Sequence, residues 1–255
     1  MFGAAGRMGG EVCRAVAADP DLELVAAVDV VAPGGTGGPM ANDALAGVRT
    51  GTDPDVLTGV DVAVDFTVAG SARANARWCA AHGVHAVIGT SGLTDADADE
   101  LRGLFTTSNC LIAPNFAIGA VLMMRMAELA APFFDTAEII ELHHDGKADA
   151  PSGTAMHTAE KLAAASDTWA PDPTRIDNLP GARGATGAGG IHIHSVRLRG
   201  LVAHQEVLLG AAGQTLTIRH DSYDRVSFMP GVLLAVKRVA DHPGVTVGLD
   251  RYLGL

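Results

Sequence analysis

The sequence predicts an α/β protein: a Rossmann-type doubly wound parallel sheet joined to a second α+β domain. Three observations predict it. The glycine-rich run Gly3-Ala4-Ala5-Gly6-Arg7-Met8-Gly9 opens the chain. Apolar strand-like runs then alternate with helix-like ones as far as Pro114, the pattern of parallel strands joined by covering helices. Beyond Gly190 the alternation stops, and three strand-like runs follow in close succession. The 255 residues suffice for two ordinary domains. A hydrophobic share of 48% with only 4% aromatic residues makes a core of Ala, Val and Leu, which suits helices on a sheet better than an aromatic-rich sandwich.

Glycines three apart let the backbone turn tightly and approach a pyrophosphate. The helix that follows offers its amides and dipole to the negative charge. Met8, Val12, Ala15 and Val16 give that helix a buried stripe. Leu22–Val28 reads as a strand ended by Asp29, 20 residues after Gly9, where an acidic side chain accepts hydrogen bonds from a ribose diol. Such a fingerprint follows a strand, yet only Met1 and Phe2 precede Gly3. The mid-sheet first strand is therefore expected to be missing, and a true start a few residues upstream is expected.

Gly34–Pro39 reads as a Gly/Pro-rich loop. Val60–Phe66 is a nearly continuous apolar run, as in a strand covered on both faces. Ser71 reads as the cap of a helix running to about His82, and Thr94 as the cap of one buried through Leu101, Leu104 and Phe105. Between them His85–Ile88 forms a strand followed by Gly89-Thr90-Ser91-Gly92, and Cys110–Ala113 forms another leading into Pro114-Asn115-Phe116. Ligands bind such sheets beyond the carboxyl ends of the strands. The loops Gly3–Gly9, Gly89–Gly92 and Ala113–Phe116 all fall there.

In the second half, Ile118–Ala131 is an almost wholly apolar, methionine-rich helix, read as core or interface. Ala137–Leu142 reads as a buried strand. Ala155–Ala165 reads as a helix burying Ala155, Met156, Ala159, Leu162 and Ala163. Between them lies the polar loop His143-His144-Asp145-Gly146-Lys147-Ala148-Asp149-Ala150-Pro151-Ser152. Asp167–Gly190 reads as a long excursion loop. Ile191–Arg199, Leu201–Gly210 and Thr215–Arg219 read as strands turned at Gly200 and Gly213, and connections so short predict antiparallel pairing. The outer face of that sheet is available to pair subunits. Met229–Ala240 reads as a helix with Pro230 in its first turn.

The polar loop holds the candidate chemistry. His143 is the acid/base candidate, since imidazole titrates near working pH. Lys147, four residues on, can protonate a carbon or stabilise developing charge. Gly153 and Thr154 place backbone amides at a helix start, suited to a carboxylate, with Ser152 as its cap. Glu141 and Asp149 read as orienting or structural groups. His144 points away from His143 if the backbone there is extended. His192 and His194 share a strand face, but no carboxylate or cysteine spacing completes a ligand set, so no metal is expected.

With 29 acidic and 18 basic residues, the net charge is −11. With no Lys/Arg run, this argues against nucleic acid as a partner. Cys13, Cys79 and Cys110 are scattered and form no disulfide framework, which fits a reducing cytoplasm. No apolar run approaches the ~18 residues of a membrane span, and the N-terminus lacks the pattern of a signal peptide.

The run Glu141-Leu142-His143-His144 through Lys147, Asp149-Ala150-Pro151-Ser152-Gly153-Thr154-Ala155 resembles the signature of the dihydrodipicolinate reductase family of the lysine and diaminopimelate pathway. The glycine loop, Gly89-Thr90-Ser91-Gly92 and Ala113-Pro114-Asn115-Phe116 resemble its cofactor segments in order and spacing. Leu179 to Gly231 is similar to its actinobacterial branch. Departures are the missing first strand, Ser91 where a second threonine is common, and Asp145-Gly146 in the variable signature positions. The resemblance implies a dinucleotide-binding domain of residues 1–116 and 226–255 and a substrate and tetramerisation domain of 117–225. It implies hinges near Phe116 and Arg225 and a homotetramer held through the second domain's sheet. It also implies reduction of a cyclic dicarboxylate by NADH or NADPH, with loss of water. Catalysis falls to His143 and Lys147, substrate contacts to His144, Gly153 and Thr154, and cofactor contacts to the three loops and Asp29. An acidic Asp29 disfavours a 2′-phosphate, so NADH is expected to serve at least as well as NADPH. Arg7 leaves dual use open.

Overall fold

Met1 and Phe2 occupy the place where a dinucleotide-binding sheet has its central strand. The Met1 amine donates to Ala26 O at 2.9 Å, and its carbonyl accepts from Val28 N at 2.8 Å. Phe2 bridges in parallel to Val28 on one side and Asp65 on the other. Its amide donates to Val64 O at 2.8 Å, and its carbonyl accepts from Phe66 N at 3.3 Å. No strand forms before α1, in line with the expectation, but two buried residues bridge the gap because their backbone groups pair with the strands on both sides. The computed structural model describes residues 1–30, 43–176 and 178–255. The chain divides into two compact units, Met1–Phe116 with Phe228–Leu255, and Ala117–Ser227. The Gly34–Pro39 loop lies outside the described residues.

In the first unit, helix α1 (Arg7–Ala18) follows the glycine turn and buries Val12, Cys13 and Val16. Strand β1 (Ala26–Val28) is shorter than the run from Leu22, because only these residues pair with β2 (Arg49–Gly51). β3 (Val62–Asp65), β4 (His85–Ile88) and β5 (Cys110–Ile112) continue in parallel beyond the Phe2 bridge. Helix α2 (Ala69–Ala81) is capped by Val68, so Ser71 sits inside its first turn rather than before it. Thr67, which could have competed as a cap, is engaged with Asp65 instead. Helix α3 (Asp95–Leu104) begins at Thr94 in a reciprocal capping box with Asp97. Leu101 and Phe105 are buried, but Leu104 points outward.

The second unit begins with α4 (Ile118–Ala130), which buries Val121, Met123 and Met124 and leaves Met126 and Leu129 exposed. β6 (Thr136–His143) follows, then α5 (Gly153–Ala165), capped by the Ser152 hydroxyl. Met156, read as buried, is exposed, and Thr158 takes a buried place instead. The stretch from Asp167 is irregular until β7 (Ala185–Thr186), with Asp177 outside the described residues. β8 (His192–Arg197), β9 (Ala203–Ala211) and β10 (Gln214–Ser222) complete a sheet of order β10-β9-β6-β8-β7. β9 and β10 form an antiparallel hairpin through Gly213. The expected pairing of β8 with β9 is overturned. β6 lies between them, parallel to β8 and antiparallel to β9. The turn at Gly200 therefore steps over one strand, a choice that loop length cannot reveal.

The chain then returns to the first unit with α6 (Met229–Arg238), Pro230 in its first turn. Gly231 is required there, since a Cβ would stand 2.1 Å from Phe116 O. β11 (Val245–Val247) adds a parallel edge to β5, and α7 (Asp250–Leu253) closes the fold. β2 and β11 have three residues each, too few for a periodic signal.

Candidate active site

The glycine loop of the first unit is shaped by backbone contact. Gly3 has φ +77°, and a Cβ on it would stand 3.0 Å from Phe66 O. A Cβ on Gly9 would stand 1.9 Å from Gly3 O, so α1 begins pressed against the loop. Gly6 caps that helix, and its amide donates to Gly3 O at 3.1 Å. Ala4 is buried, Met8 is half-buried, and Arg7 is exposed. Asp29, at the end of β1, accepts from Ala5 N at 2.9 Å and from Val30 N at 2.7 Å. One carboxylate thus ties the loop to the strand end. A cleft of about 690 Å³ is lined by Gly3, Ala5, Gly6 and Asp29, together with Thr52 and Asn75. A glycine-lined turn at a helix start with an acid beside it fits a dinucleotide's phosphates and ribose.

The two other predicted loops meet at neighbouring strand ends. A Cβ on Gly89 would stand 2.2 Å from the Phe66 ring and 2.9 Å from the Phe116 ring, so glycine is obligatory there. These two rings lie 5.7 Å apart. Thr90 is buried and Ser91 exposed. Ala113 and Phe116 are buried, Asn115 half-buried and Pro114 exposed. Asp65 was not singled out from the sequence. It is buried at the end of β3, where it accepts from Thr67 N at 2.8 Å and from Thr67 Oγ1, Thr90 Oγ1 and Asn75 Nδ2, each at 2.7 Å. It pins the ends of β3 and β4 to α2.

In the second unit the period of β6 places Ile139, Glu141 and His143 on one face. Parallel register sets Ser195 beside Glu141 and Arg197 beside His143. Glu141 is wholly buried. It accepts from His143 Nδ1 at 2.5 Å, from Arg197 Nη1 and Nη2 at 2.9 and 2.8 Å, and from Ser152 N at 3.3 Å. Burial opposes its ionisation, but the Arg197, Ser195 and His143 hydrogen bonds outweigh that and hold the carboxyl below its ordinary range. Burial lowers the pKa of His143. Glu141 pulls the other way without restoring it, and Lys147 and Arg197 lower it further. An ionised Glu141 only accepts, so Nδ1 of His143 carries the proton and Nε2 presents a lone pair.

Lys147 Nζ donates to both oxygens of Asp149 at 2.8 Å, and that hydrogen bond holds Asp149 below the usual carboxylate range. His144 is exposed, just beyond the end of β6, with its ring beside Gly146 of the following loop. Gly153 and Thr154 open α5, and a Cβ on Gly153 would meet nothing within 4 Å. Ser152 Oγ accepts from Ala155 N at 3.2 Å. The structure therefore gathers His143, Lys147 and the start of α5 around Glu141 and Arg197. Arg197 has no local signal, because it reaches Glu141 only through the pairing of β6 with β8. His192 and His194 turn to Asp172 and Glu138, at 3.2 and 2.6 Å. Among the described residues no group of three or more His, Cys, Asp or Glu is placed to hold a metal ion, and no helix is long and apolar enough to cross a membrane.

Residues 1–116 match the family described as dihydrodipicolinate reductase, N-terminus, and residues 119–253 match its C-terminus. The chain belongs to the dihydrodipicolinate reductase family. The 4-hydroxy-tetrahydrodipicolinate reductase of Cutibacterium acnes is 51% identical over 100% of this chain and 98% of its own length. That of Nocardia farcinica is 52% identical with the same coverage. A dipicolinate-bound dihydrodipicolinate reductase from Paenisporosarcina sp. TG-14 superposes with a TM-score of 0.85 at 39% identity, covering 98% of this chain and 97% of that one. As a reductase of this family the chain is an oxidoreductase of lysine and diaminopimelate biosynthesis, and its Rossmann-type unit implies a nicotinamide cofactor.

Proposed function

We propose that the chain reduces 4-hydroxy-tetrahydrodipicolinate to tetrahydrodipicolinate with loss of water, using NADH or NADPH. The observation that carries this reading is the gathering of His143, Lys147 and the first turn of α5 around buried Glu141. A doubly anionic ring suits a lysine, an imidazole and a helix start. The dipicolinate in the Paenisporosarcina relative is such a ring.

The bound cofactor supplies a hydride. Net exchange of hydroxyl for hydride consumes one proton and releases water, so the site must deliver a proton. His143 is the acid/base group: neutral in the free protein, it gains basicity when a dianion binds beside it. Lys147 leaves Asp149 to stabilise the developing charge or protonate the carbon. Gly153 and Thr154 hold one carboxylate, and His144 contacts the substrate. Gly3, Ala4, Ala5, Gly6, Arg7 and Met8 hold the pyrophosphate, with Asp29 on the ribose. Gly89, Thr90 and Ser91 with Ala113, Pro114, Asn115 and Phe116 flank the rest of the cofactor. The carboxylate of Asp29 opposes a 2′-phosphate, which supports NADH serving no worse than NADPH. A cytoplasmic homotetramer paired through the second unit's sheet completes the proposal. Thr215 and Thr217, exposed on β10 at the end of that sheet, support this reading.

The test is nicotinamide oxidation at 340 nm with the product of the upstream synthase as substrate. His143→Ala and Lys147→Ala each lower kcat by about 100-fold or more while cofactor affinity holds. Unchanged turnover in both would remove the assignment. A preference for NADPH above about tenfold, some 1.4 kcal/mol, rejects the role given to Asp29.

A further inference from the structure

We infer that Arg197 is a positioning residue: through Glu141 and the Asp149 carbonyl it fixes the tautomer of His143 and the place of the Lys147 loop. The inference rests on the catalytic roles of His143 and Lys147 proposed above. Four donor groups converge on one buried carboxylate, and three of them lead to different parts of the site. His143 Nδ1 leads to the imidazole, Ser152 N to the start of α5, and Arg197 Nη2 onward to Asp149 O at 2.6 Å. Asp149 in turn holds Lys147 through its side chain. Arg197 thus touches both ends of the constellation, the His143 end through Glu141 and the Lys147 end through Asp149.

The guanidinium fork keeps Glu141 ionised by donating to both of its oxygens. An ionised Glu141 accepts from Nδ1 and so leaves Nε2 unprotonated. Without Arg197 a carboxyl buried this deeply takes up a proton more readily. It could then donate to His143, and the tautomer preference is lost. A lysine would restore the charge but not the two-pronged geometry or the third bond to Asp149 O. The charged groups that act on His143 are Glu141 on its own strand, Arg197 on β8 and Lys147 on the following loop. Ser195 on β8 acts on it only through Glu141.

The experiment combines nitrogen-15 NMR of His143 with kinetics of Arg197→Met and Arg197→Lys. Wild type is expected to show protonated Nδ1 and bare Nε2 near neutral pH. Arg197→Met is expected to mix the tautomers and shift the acid limb of the kcat/KM profile. It should lower kcat by about tenfold or more while NADH affinity, read by fluorescence titration, stays within about twofold. Arg197→Lys should recover only a minor part of the lost kcat. A wild-type imidazole protonated at Nε2 overturns the inference. So does Arg197→Met with kcat within twofold and an unmoved tautomer. Should Arg197→Met not fold, the wild-type tautomer and Glu141→Gln decide, the glutamine being expected to abolish the Nδ1 preference. A wild type inert towards the proposed substrate yet holding the expected tautomer would refute the reaction and support the positioning.

Discussion

The first unit builds its candidate site from backbone, and the second builds its own from ionised side chains. Around Gly9 and Gly89 the structure leaves no room for a Cβ, Gly3 takes a left-handed backbone, and the proposed contacts are amides and a helix start. Around Glu141 the contacts are a carboxylate, a guanidinium, an imidazole and an ammonium, held together by charge. The difference predicts how each can be broken. A backbone site fails when atoms are added, and its failure is steric and insensitive to pH. A side-chain site fails when charge is removed, and acid does that without any substitution.

The largest effect is expected from Gly9→Ala. The new Cβ would lie 1.9 Å from Gly3 O and 2.7 Å from Gly3 C, both backbone atoms that cannot rotate aside. Either α1 lifts from the loop or the loop distorts, at a cost of about 3 kcal/mol. Thermal unfolding of the free protein reads the loss, and NADH titration should show the affinity falling with it. The loss should be the same at pH 5 and pH 8. An unchanged melting temperature would mean the loop is more pliant than its contacts imply.

That contrast also decides what was legible in the sequence. Glycines at 3, 6 and 9 and at 89 announce themselves, because a missing Cβ is a property of one position and its neighbours. The Thr94 cap was legible for the same reason: its partner Asp97 is three residues away. Arg197 was not, since 56 residues separate it from Glu141. Only the insertion of β6 between β8 and β9 brings them together. The turn at Gly200 gives no sign of that insertion. Asp65 escaped notice because its partners lie on three elements. No strand precedes α1, as the two residues before Gly3 imply, but Phe2 still bridges Val28 and Asp65, a pairing that no periodic pattern in two residues can announce.

An intermediate effect is expected from acid on the second unit, and the sign follows from two groups. Glu141 is held below its ordinary value by Arg197, Ser195 and His143 against the cost of burial. Its contribution is present above the unfolded carboxyl's pKa and is lost as pH falls through the folded one. Burial lowers His143, so on acidification the unfolded imidazole takes its proton first and the folded state loses ground below about pH 6.5. In both cases the unfolded chain binds more protons, and stability falls from neutral pH towards pH 4. Urea unfolding of Glu141→Gln should show a loss of about 1–3 kcal/mol at pH 7. Below about pH 4.3, the ordinary glutamate value, where wild type loses the Glu141 contribution, the variant should also show a shallower decline with acid. An equal acid slope in the two proteins would place the sensitivity elsewhere.

The smallest effect on stability is expected where the comparison itself is weakest, at Gly153. This is a glycine in the unit built from side chains, and the fold does not need it. Its backbone is not left-handed, and a Cβ there would meet nothing within 4 Å. At the first position of α5 an alanine should change the unfolding free energy by no more than about 0.5 kcal/mol. If the helix start receives a carboxylate, the methyl stands in the way of the ligand and of nothing else. Gly153→Ala should then raise KM for the dicarboxylate by about tenfold or more, roughly 1.4 kcal/mol, with the melting temperature and the KM for NADH unmoved. That outcome would make Gly153 a backbone contact inside a side-chain site, present for the ligand alone. An unchanged substrate KM would leave the glycine without a purpose in either the fold or the chemistry, and would move the carboxylate site away from the start of α5.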